Sequence, residues 1–296
     1  MQKFTINDFN RMFPDDDACL EWLKNYLYPD GIHCDKCQRI TKHHKVTNRR
    51  SYSCDYCGHH VHPTAGTIYH KSPTPLRTWF YAVFKMASTR CGISAKQIQR
   101  ETGVTYKTAW RMFKQIRSML DENIESLSGT VECDETFVGG KAKNMHKSKR
   151  EAKIKGRGGV GKTVVVGAVE RQGRVVAKVV PNTSSDTLIP FVTEKVLPES
   201  MVFTDESPSY NPLSSKGYYH KRVHHASKVY VIGDVHTNTI EGFWSLVKGG
   251  IGGVYHQVSA KYLQSYFDEY AFRYNRRNDE TPMFLSFMTA LPRKSE

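Results

Sequence analysis

The stretch Gly129–Gly140, GTVECDETFVGG, alternates polar and apolar residues from Thr130 to Asp134 and ends on two glycines. Alternation of this kind predicts a strand with one half-buried face. Asp134 lies within the strand, and Glu135 is expected on the opposite sheet face because strand side chains alternate. The elements around this strand decide which fold it belongs to.

The segments after Gly140 complete an α/β pattern. A hairpin (163–180) comes first, and a helix that a proline ends (184–198) follows it. The segment 200–210 then holds a buried strand that ends in Asp205. Two helices come last (236–250 and 262–277). Three strands, a helix, a fourth strand and late helices are the order of a ribonuclease-H-like core. The predicted fold class is therefore mixed α/β.

Acidic residues lie at three places in this order. The first and fourth strands of such a core are neighbours, so Asp134 and Asp205 can meet. Glu241, on the next helix, can close the cluster, and Lys248 shares its helix face. Each acid alone has an ordinary alternative, as a turn cap or half of a solvated pair. The competing acids nearby are Glu132, Glu135 and Glu206.

Two cysteine pairs, Cys34-x-x-Cys37 and Cys54-x-x-Cys57, are separated by sixteen residues. This spacing favours one zinc ion held by four thiolates, in a zinc ribbon of about residues 30–62. The zinc is expected to be structural, because no ligand position stays open for water. Free buried or redox-active cysteines are the alternative. Histidines that could replace a cysteine ligand are His33, His59, His60 and His62.

A helix-turn-helix is predicted between the ribbon and the strand of Asp134. Ser94 and Gln97 form a capping box, Gly103 is the turn, and a second helix begins near Thr105. The basic face of this second helix consists of Lys107, Arg111 and Lys114. We expect that face to enter a DNA major groove. The alternative is a plain helical hairpin with a solvated basic face.

Residues 141–162 carry nine Lys or Arg and one acid, which gives eight of the chain's fourteen net positive charges. This basic loop is predicted to follow a phosphate backbone, and a surface loop without a task is the alternative. The residues expected to contact DNA are Lys147, Lys149, Arg150, Lys153, Lys155 and Arg157.

The basic loop ends in GRGGVGKT (156–163), which fits the P-loop template at each fixed position. A P-loop requires a strand before the match and a helix after it. Here no strand pattern precedes the match, and a β-branched run follows it. We therefore expect a glycine-rich connection into a hairpin, with no nucleotide bound.

The net charge is +14, from 43 Lys and Arg against 29 Asp and Glu in 296 residues. Such a charge favours nucleic acid as a partner ahead of a membrane surface. Seven cysteines, an odd number, argue against a disulfide framework. No apolar run is long enough to span a bilayer, and the N-terminus has no secretory pattern. We expect a cytoplasmic protein with no membrane partner.

The chain resembles DDE-type insertion-sequence transposases, and closely those with a zinc ribbon and an ISXO-like catalytic domain. The motifs that carry the resemblance are VECDETFVGG, FTDES, HTNTIEGFWSLVKGGIGGVYHQVS and YAFRYNRR, with the cysteine pairs. It implies that Asp134, Asp205 and Glu241 bind two Mg²⁺ or Mn²⁺ ions, and that Lys248 is the lysine following the triad. Some members carry Asn as the third ligand, so Asn238 is an alternative to Glu241.

The resemblance implies a DNA transposase that binds insertion-sequence ends and catalyses metal-dependent strand cleavage and strand transfer. Its expected partners are transposon-end DNA and target DNA, with a homodimer forming on the DNA, at the nucleoid of a prokaryotic cell. The alternative is a DNA-binding regulator derived from a transposase, with an inactive nuclease domain. The predicted regions are an N-terminal region with the ribbon (1–70), a helix-turn-helix region (71–125) and a ribonuclease-H-like catalytic domain (126–296).

Overall fold

The computed structural model describes residues 4–124, 126–140, 146–148, 161–223 and 236–290. The chain separates into two compact units. The first comprises residues 1–119 and 279–296, and the second comprises residues 120–278. The cysteine pairs belong to the first unit, and the three acids belong to the second.

The helices and strands are numbered in chain order. The helices are α1 (Ile6–Met12), α2 (Asp16–Leu27), α3 (Leu76–Ser88), α4 (Ala95–Thr102), α5 (Tyr106–Arg117), α6 (Ser185–Lys195), α7 (Asn238–Gly250), α8 (Ala260–Asn275) and α9 (Met283–Thr289). The strands are β1 (His33–Cys34), β2 (Arg39–Ile40), β3 (His43–Lys45), β4 (Tyr52–Cys54), β5 (His60–Val61), β6 (Thr130–Val138), β7 (Thr163–Glu170), β8 (Val175–Val180), β9 (Met201–Thr204) and β10 (Tyr219–Arg222).

Helix α3 organises the core of the first unit. Its buried residues Leu76, Trp79, Phe80, Val83 and Phe84 recur at the spacing of one helix face. Helices α2, α5 and α9 pack against α3. The apolar stripe therefore assembles this unit around a single helix.

The C-terminal helix α9 belongs to the first compact unit, whereas the sequence analysis included it in the region 126–296. Phe284 stacks on Phe4 with ring centroids 4.7 Å apart and lies 5.8 Å from the ring of Phe84. The second unit accordingly ends at Asn278. The short sequence of α9 gives no sign of which core its two aromatic residues, Phe284 and Phe287, join.

The two cysteine pairs form matching turns. In each pair the residue four positions after the first cysteine donates its N–H to that cysteine's carbonyl, from Gln38 to Cys34 at 2.8 Å and from Gly58 to Cys54 at 3.0 Å. Both donors have a left-handed backbone, with φ of 52° at Gln38 and 70° at Gly58. Glycine adopts this conformation without steric cost. The β1–β2 pair and the β3–β4–β5 sheet hold these turns.

Helices α4 and α5 are joined by a short turn, as the sequence indicated. The Ser94 side chain accepts the N–H of Gln97, and Gly103 ends α4 with φ of 73°. Thr105 caps α5 by accepting the N–H of Thr108. The expected capping box is incomplete, because the Gln97 side chain donates to Glu101 at 2.7 Å.

The second unit is built on a five-stranded sheet in the order β10-β9-β6-β7-β8. Strands β6, β7 and β8 pair antiparallel in succession, whereas β9 is parallel to β6 and β10 is parallel to β9. The strand of Asp134 and the strand before Asp205 are therefore adjacent. Their carboxyl ends lie at the same edge of the sheet.

Alternating residues of β7 show the two faces of the sheet. Val164, Val166 and Ala168 pack in one cluster with apolar residues of α6. Val165 and Val169 pack in the other cluster with residues of α7 and α8. Helices thus cover both faces, and α7 crosses the face that carries Asp134.

The elements not anticipated from the sequence include strand β10, helix α9 and a 3₁₀ helix at Pro208–Lys216. Strand β10 exposes Tyr219, Lys221 and Arg222 along one edge of the sheet. Its polar sequence lacks the apolar alternation that signals a strand.

Candidate catalytic and metal sites

The four cysteine sulfurs form one compact group. All lie within 4.8 Å of one another, with Cys34 Sγ 3.5 Å from Cys57 Sγ and Cys37 Sγ 3.9 Å from Cys54 Sγ. Tetrahedral zinc with Zn–S bonds of about 2.3 Å requires sulfur–sulfur distances of about 3.8 Å. The donor set therefore fits structural zinc. The group includes none of the four histidines considered as substitutes.

We expect purified protein to contain about one zinc ion per chain and a Cys34→Ser, Cys54→Ser double variant to lose it, because two thiolates cannot close a tetrahedral site. Metal analysis by plasma mass spectrometry measures the zinc content. Cys91→Ser is the matched control, since Cys91 is an exposed cysteine outside the group. Undiminished zinc in the double variant would contradict the assignment.

Asp134 and Asp205 occupy equivalent positions on neighbouring parallel strands. The last paired residues of β6 and β9 are Glu132 and Phe203. Asp134 lies two residues further along β6, and Asp205 lies two residues after Phe203, just past the end of β9. Both acids therefore follow the paired segment at the same edge of the sheet. That arrangement brings together the first two acids expected from the sequence.

Asp134 is held by the helix above it. The Trp244 Nε1 of α7 donates to Asp134 Oδ2 at 2.9 Å. Burial raises the pKa of Asp134 to about 6; the Trp244 hydrogen bond opposes the rise, and the charges of Asp205 and Glu241 add to it. The charges of Asp205 and Glu241 therefore both act on the carboxyl group of Asp134.

Glu241, Asn238 and Lys248 all lie exposed on α7. Asn238 is the first residue of the helix, and Glu241 Oε1 accepts the hydroxyl of Thr237 at 3.2 Å. In the described part of the chain, the four cysteines are the only set of three or more His, Cys, Asp or Glu residues whose donor atoms all lie within 4.8 Å of one another. The three acids therefore do not form a ligand group as compact as that of the cysteines.

The competing acids have distinct surroundings. Glu135 accepts the hydroxyl of Tyr210 at 2.7 Å, on the face opposite the Trp244 contact, as strand alternation predicts. Burial raises the pKa of Glu135 to about 7, and the charge of Asp205 contributes. Glu206 is exposed. Glu132 is fully buried and bonded to the start of α7.

The residues proposed from the sequence to contact DNA are only partly described. Lys107, Arg111 and Lys114 are exposed on α5, and one guanidinium nitrogen of Arg111 lies 3.4 Å from Ser72 Oγ. Lys147 is exposed. The remaining basic-loop residues lie outside the described residues: Lys149, Arg150, Lys153, Lys155 and Arg157.

The P-loop-like match ends in a strand. Gly161 and Lys162 lead directly into β7, which starts at Thr163, and β7 forms a hairpin with β8. A P-loop places its lysine and threonine at the start of a helix, whose N-terminus binds phosphate. The predicted connection into a hairpin is confirmed at this end of the match.

Comparison with known sequences places the chain among the transposases. A family profile described as the ISXO2-like transposase domain matches residues 126–275, and one described as the transposase zinc-ribbon domain matches residues 14–60. The chain therefore belongs to the family of ISXO2-like transposases.

Two relatives have transposon-related names. The chain is 28% identical over 236 residues to an uncharacterized protein in transposable element ISH50 of Halobacterium salinarum, across 76% of this chain and 80% of that protein. It is 30% identical over 122 residues to an uncharacterized transposase-like protein of Haemophilus influenzae, across 41% of this chain and 96% of that protein. No described helix is both long and apolar enough to cross a membrane.

Proposed function

We propose that this protein is a DNA transposase that binds insertion-sequence ends and catalyses metal-dependent strand cleavage and strand transfer. The observation that carries the proposal is the placement of Asp134 and Asp205 two residues after the last paired residues of the adjacent parallel strands β6 and β9, with the charge of Glu241 acting on Asp134. The strand order supports a ribonuclease-H-like catalytic domain. The family match supports the same reading.

The acids suit divalent cations. Hard cations such as Mg²⁺ prefer carboxylate oxygens. A cation would offset the burial that raises the pKa of Asp134, and also the smaller repulsion from Asp205 and Glu241. Asp134, Asp205 and Glu241 would together hold two Mg²⁺ or Mn²⁺ ions. Bound there, the two ions would supply an activated oxygen nucleophile and stabilise the leaving oxygen.

The remaining residues of α7 would orient the substrate. Lys248 follows Glu241 by two helical turns, so it can bind a DNA phosphate beside the acids. Asn238 is the alternative third ligand, but an amide neutralises a cation less well than a carboxylate does. Strand β10 adds exposed Lys221 and Arg222 next to β9, where positive charge would favour an approaching phosphate backbone.

DNA binding would be shared between the two units. Helices α4 and α5 would act as a helix-turn-helix, with Lys107, Arg111 and Lys114 toward the major groove. The basic loop, including Lys147, would contribute attraction independent of sequence. Assembly as a dimer on DNA, a cytoplasmic location and the absence of a nucleotide requirement remain predictions.

The test is a cleavage and strand-transfer assay on DNA carrying the ends that flank the gene. We expect products with Mg²⁺ or Mn²⁺, none without an added divalent ion, and no requirement for ATP. Glu241→Gln should reduce product to background, whereas Asn238→Ala should retain a substantial fraction of activity.

If Asn238→Ala were inactive and Glu241→Gln kept a substantial fraction of activity, Asn238 rather than Glu241 would be the third metal ligand. ATP hydrolysis that disappears in Lys162→Ala, together with cleavage that is indifferent to Asp205→Asn, would overturn the proposed function. On the present proposal Lys162→Ala removes one charge of the basic loop and costs little activity.

A further inference from the structure

Glu132 is a fully buried carboxylate on the strand that carries Asp134. Its Oε2 accepts the backbone N–H groups of Thr239 at 2.8 Å and Ile240 at 3.0 Å. Its Oε1 accepts the Thr239 hydroxyl at 2.8 Å and Arg171 Nε at 2.8 Å. Both oxygens are therefore used, and the charge is balanced by a guanidinium group.

These contacts cap the start of α7 from outside the helix. The first N–H groups of a helix have no partner within it, and the positive end of the helix dipole favours an anion there. Thr237, the residue at the N-cap position, makes no side-chain capping bond. A carboxylate from β6 thus supplies the cap that the helix itself lacks.

Arg171 secures this carboxylate. Besides its bond to Glu132, its guanidinium donates to the carbonyl of His236 at 3.0 Å and stacks 4.7 Å from the ring centre of Phe203. One guanidinium thereby connects β6, β9 and the segment just before α7. Burying a charged carboxylate is costly unless it is paired in this way.

Helix α7 is consequently tied to β6 at two points. Glu132 accepts hydrogen bonds from the backbone N–H groups of Thr239 and Ile240. Asp134 lies two residues further along the same strand and accepts a hydrogen bond from the Trp244 indole. Glu241 lies between these two ties. A helix fixed to one strand at both places cannot slide or rotate without breaking one of them.

We propose that Glu132 is a positioning residue that sets the distance of Glu241 from Asp134, and through it the affinity of the acidic site for divalent cations. The inference rests on the proposed function, because it assigns the spacing of the three acids to a carboxylate that does not itself bind metal. Residues that orient metal ligands typically affect metal affinity by about 10–100-fold.

The experiment is calorimetric titration of zinc-loaded, full-length protein with MnCl₂. We expect Glu132→Gln to weaken Mn²⁺ binding by about tenfold or more, because an amide presents an N–H₂ group to helix N–H donors. Glu132→Asp keeps the charge and should restore part of the affinity. With DNA ends as substrate, kcat should fall while KM changes little.

Glu269→Gln is the matched control. Glu269 is also fully buried and pairs with an arginine, Arg273, but within α8. It should lose stability as Glu132→Gln does and keep Mn²⁺ affinity within about twofold of wild type. If Glu132→Gln is too unstable to purify, Thr239→Val removes one donor to Glu132 and should weaken Mn²⁺ binding in the same direction, by a smaller factor.

Equal Mn²⁺ affinities of Glu132→Gln and Glu269→Gln, or an unchanged Thr239→Val, would overturn the positioning role while the proposed function stands. Wild-type protein that neither cleaves DNA nor binds Mn²⁺ more tightly than Asp134→Asn would overturn both. The two failures are therefore distinguishable.

Discussion

Asp134→Asn and Asp205→Asn are expected to abolish DNA cleavage and strand transfer, by about a thousandfold or more, while binding of DNA ends survives. The amide keeps the shape of each side chain but removes the charge that would hold a divalent cation. In Asp134→Asn the amide oxygen can still accept from Trp244 Nε1, so α7 should stay in place. Cleavage assays and gel-shift titrations on the same DNA measure the two properties.

The stability of Asp134→Asn gives an independent test. Burial raises the pKa of Asp134 from 3.8 to about 6, so the folded protein binds this proton more tightly than the unfolded chain does. The ionised carboxylate therefore destabilises the fold at neutral pH, and the penalty grows as pH rises from about 4 to 6. Without added divalent ions, Asp134→Asn should have a higher Tm than wild type at pH 7 and an equal Tm at pH 4.

Loss of activity combined with higher stability is typical of a functional group held at a cost to the fold. A lower Tm for Asp134→Asn at pH 7 would instead indicate that the carboxylate contributes to the structure. Retained cleavage by either variant would remove that acid from the proposed site.

Gly167→Ala is expected to destabilise the second unit by about 1–3 kcal/mol or more. Gly167 pairs with Asp134 across β6 and β7, and a Cβ atom there would lie 2.5 Å from Trp244 Cη2 and 2.7 Å from Cζ2. Trp244 is buried, so its ring can shift only by disturbing the packing around it, and that shift should break its bond to Asp134 as well. Chemical denaturation followed by tryptophan fluorescence measures the change.

Two further variants make the Gly167 prediction specific. Gly242 lies on the same helix as Trp244, and a Cβ there meets no atom within 4 Å, so Gly242→Ala should leave stability unchanged or raise it by up to about 1 kcal/mol. Trp244→Phe removes the ring atoms that collide. Adding Gly167→Ala to Trp244→Phe should therefore cost less than adding it to the wild type, and fully additive effects would contradict the close contact.

Several local features were predictable because their causes are local. The spacing of two cysteine pairs predicts a tetrahedral thiolate site, since each pair spans a single tight turn. Ser94, Gly103 and Thr105 mark the ends of α4 and α5 because caps and left-handed turns depend on a few neighbouring residues. The β-branched run after Lys162 predicts a strand and thereby argues against a P-loop.

Other features could not be predicted from local patterns. Strand β10 is polar and exposed, and only pairing with β9 makes it a strand. Helix α9 joins the first unit because Phe284 reaches aromatic residues far away in the sequence. Context of this kind overrides propensity, because long-range packing contributes more to stability than local preference does.

The sequence by itself determined the residue types of both candidate sites: four thiolates at knuckle spacing, and acids on two strands and a helix. Only the tertiary structure decided how the acids are held. Glu132, an apparent competitor in the sequence, instead caps α7, and Gly167 leaves room for the indole that holds Asp134. The reason is that cysteine spacing fixes geometry within one turn, whereas the position of α7 depends on hydrogen bonds and close contacts between residues that lie far apart in the sequence.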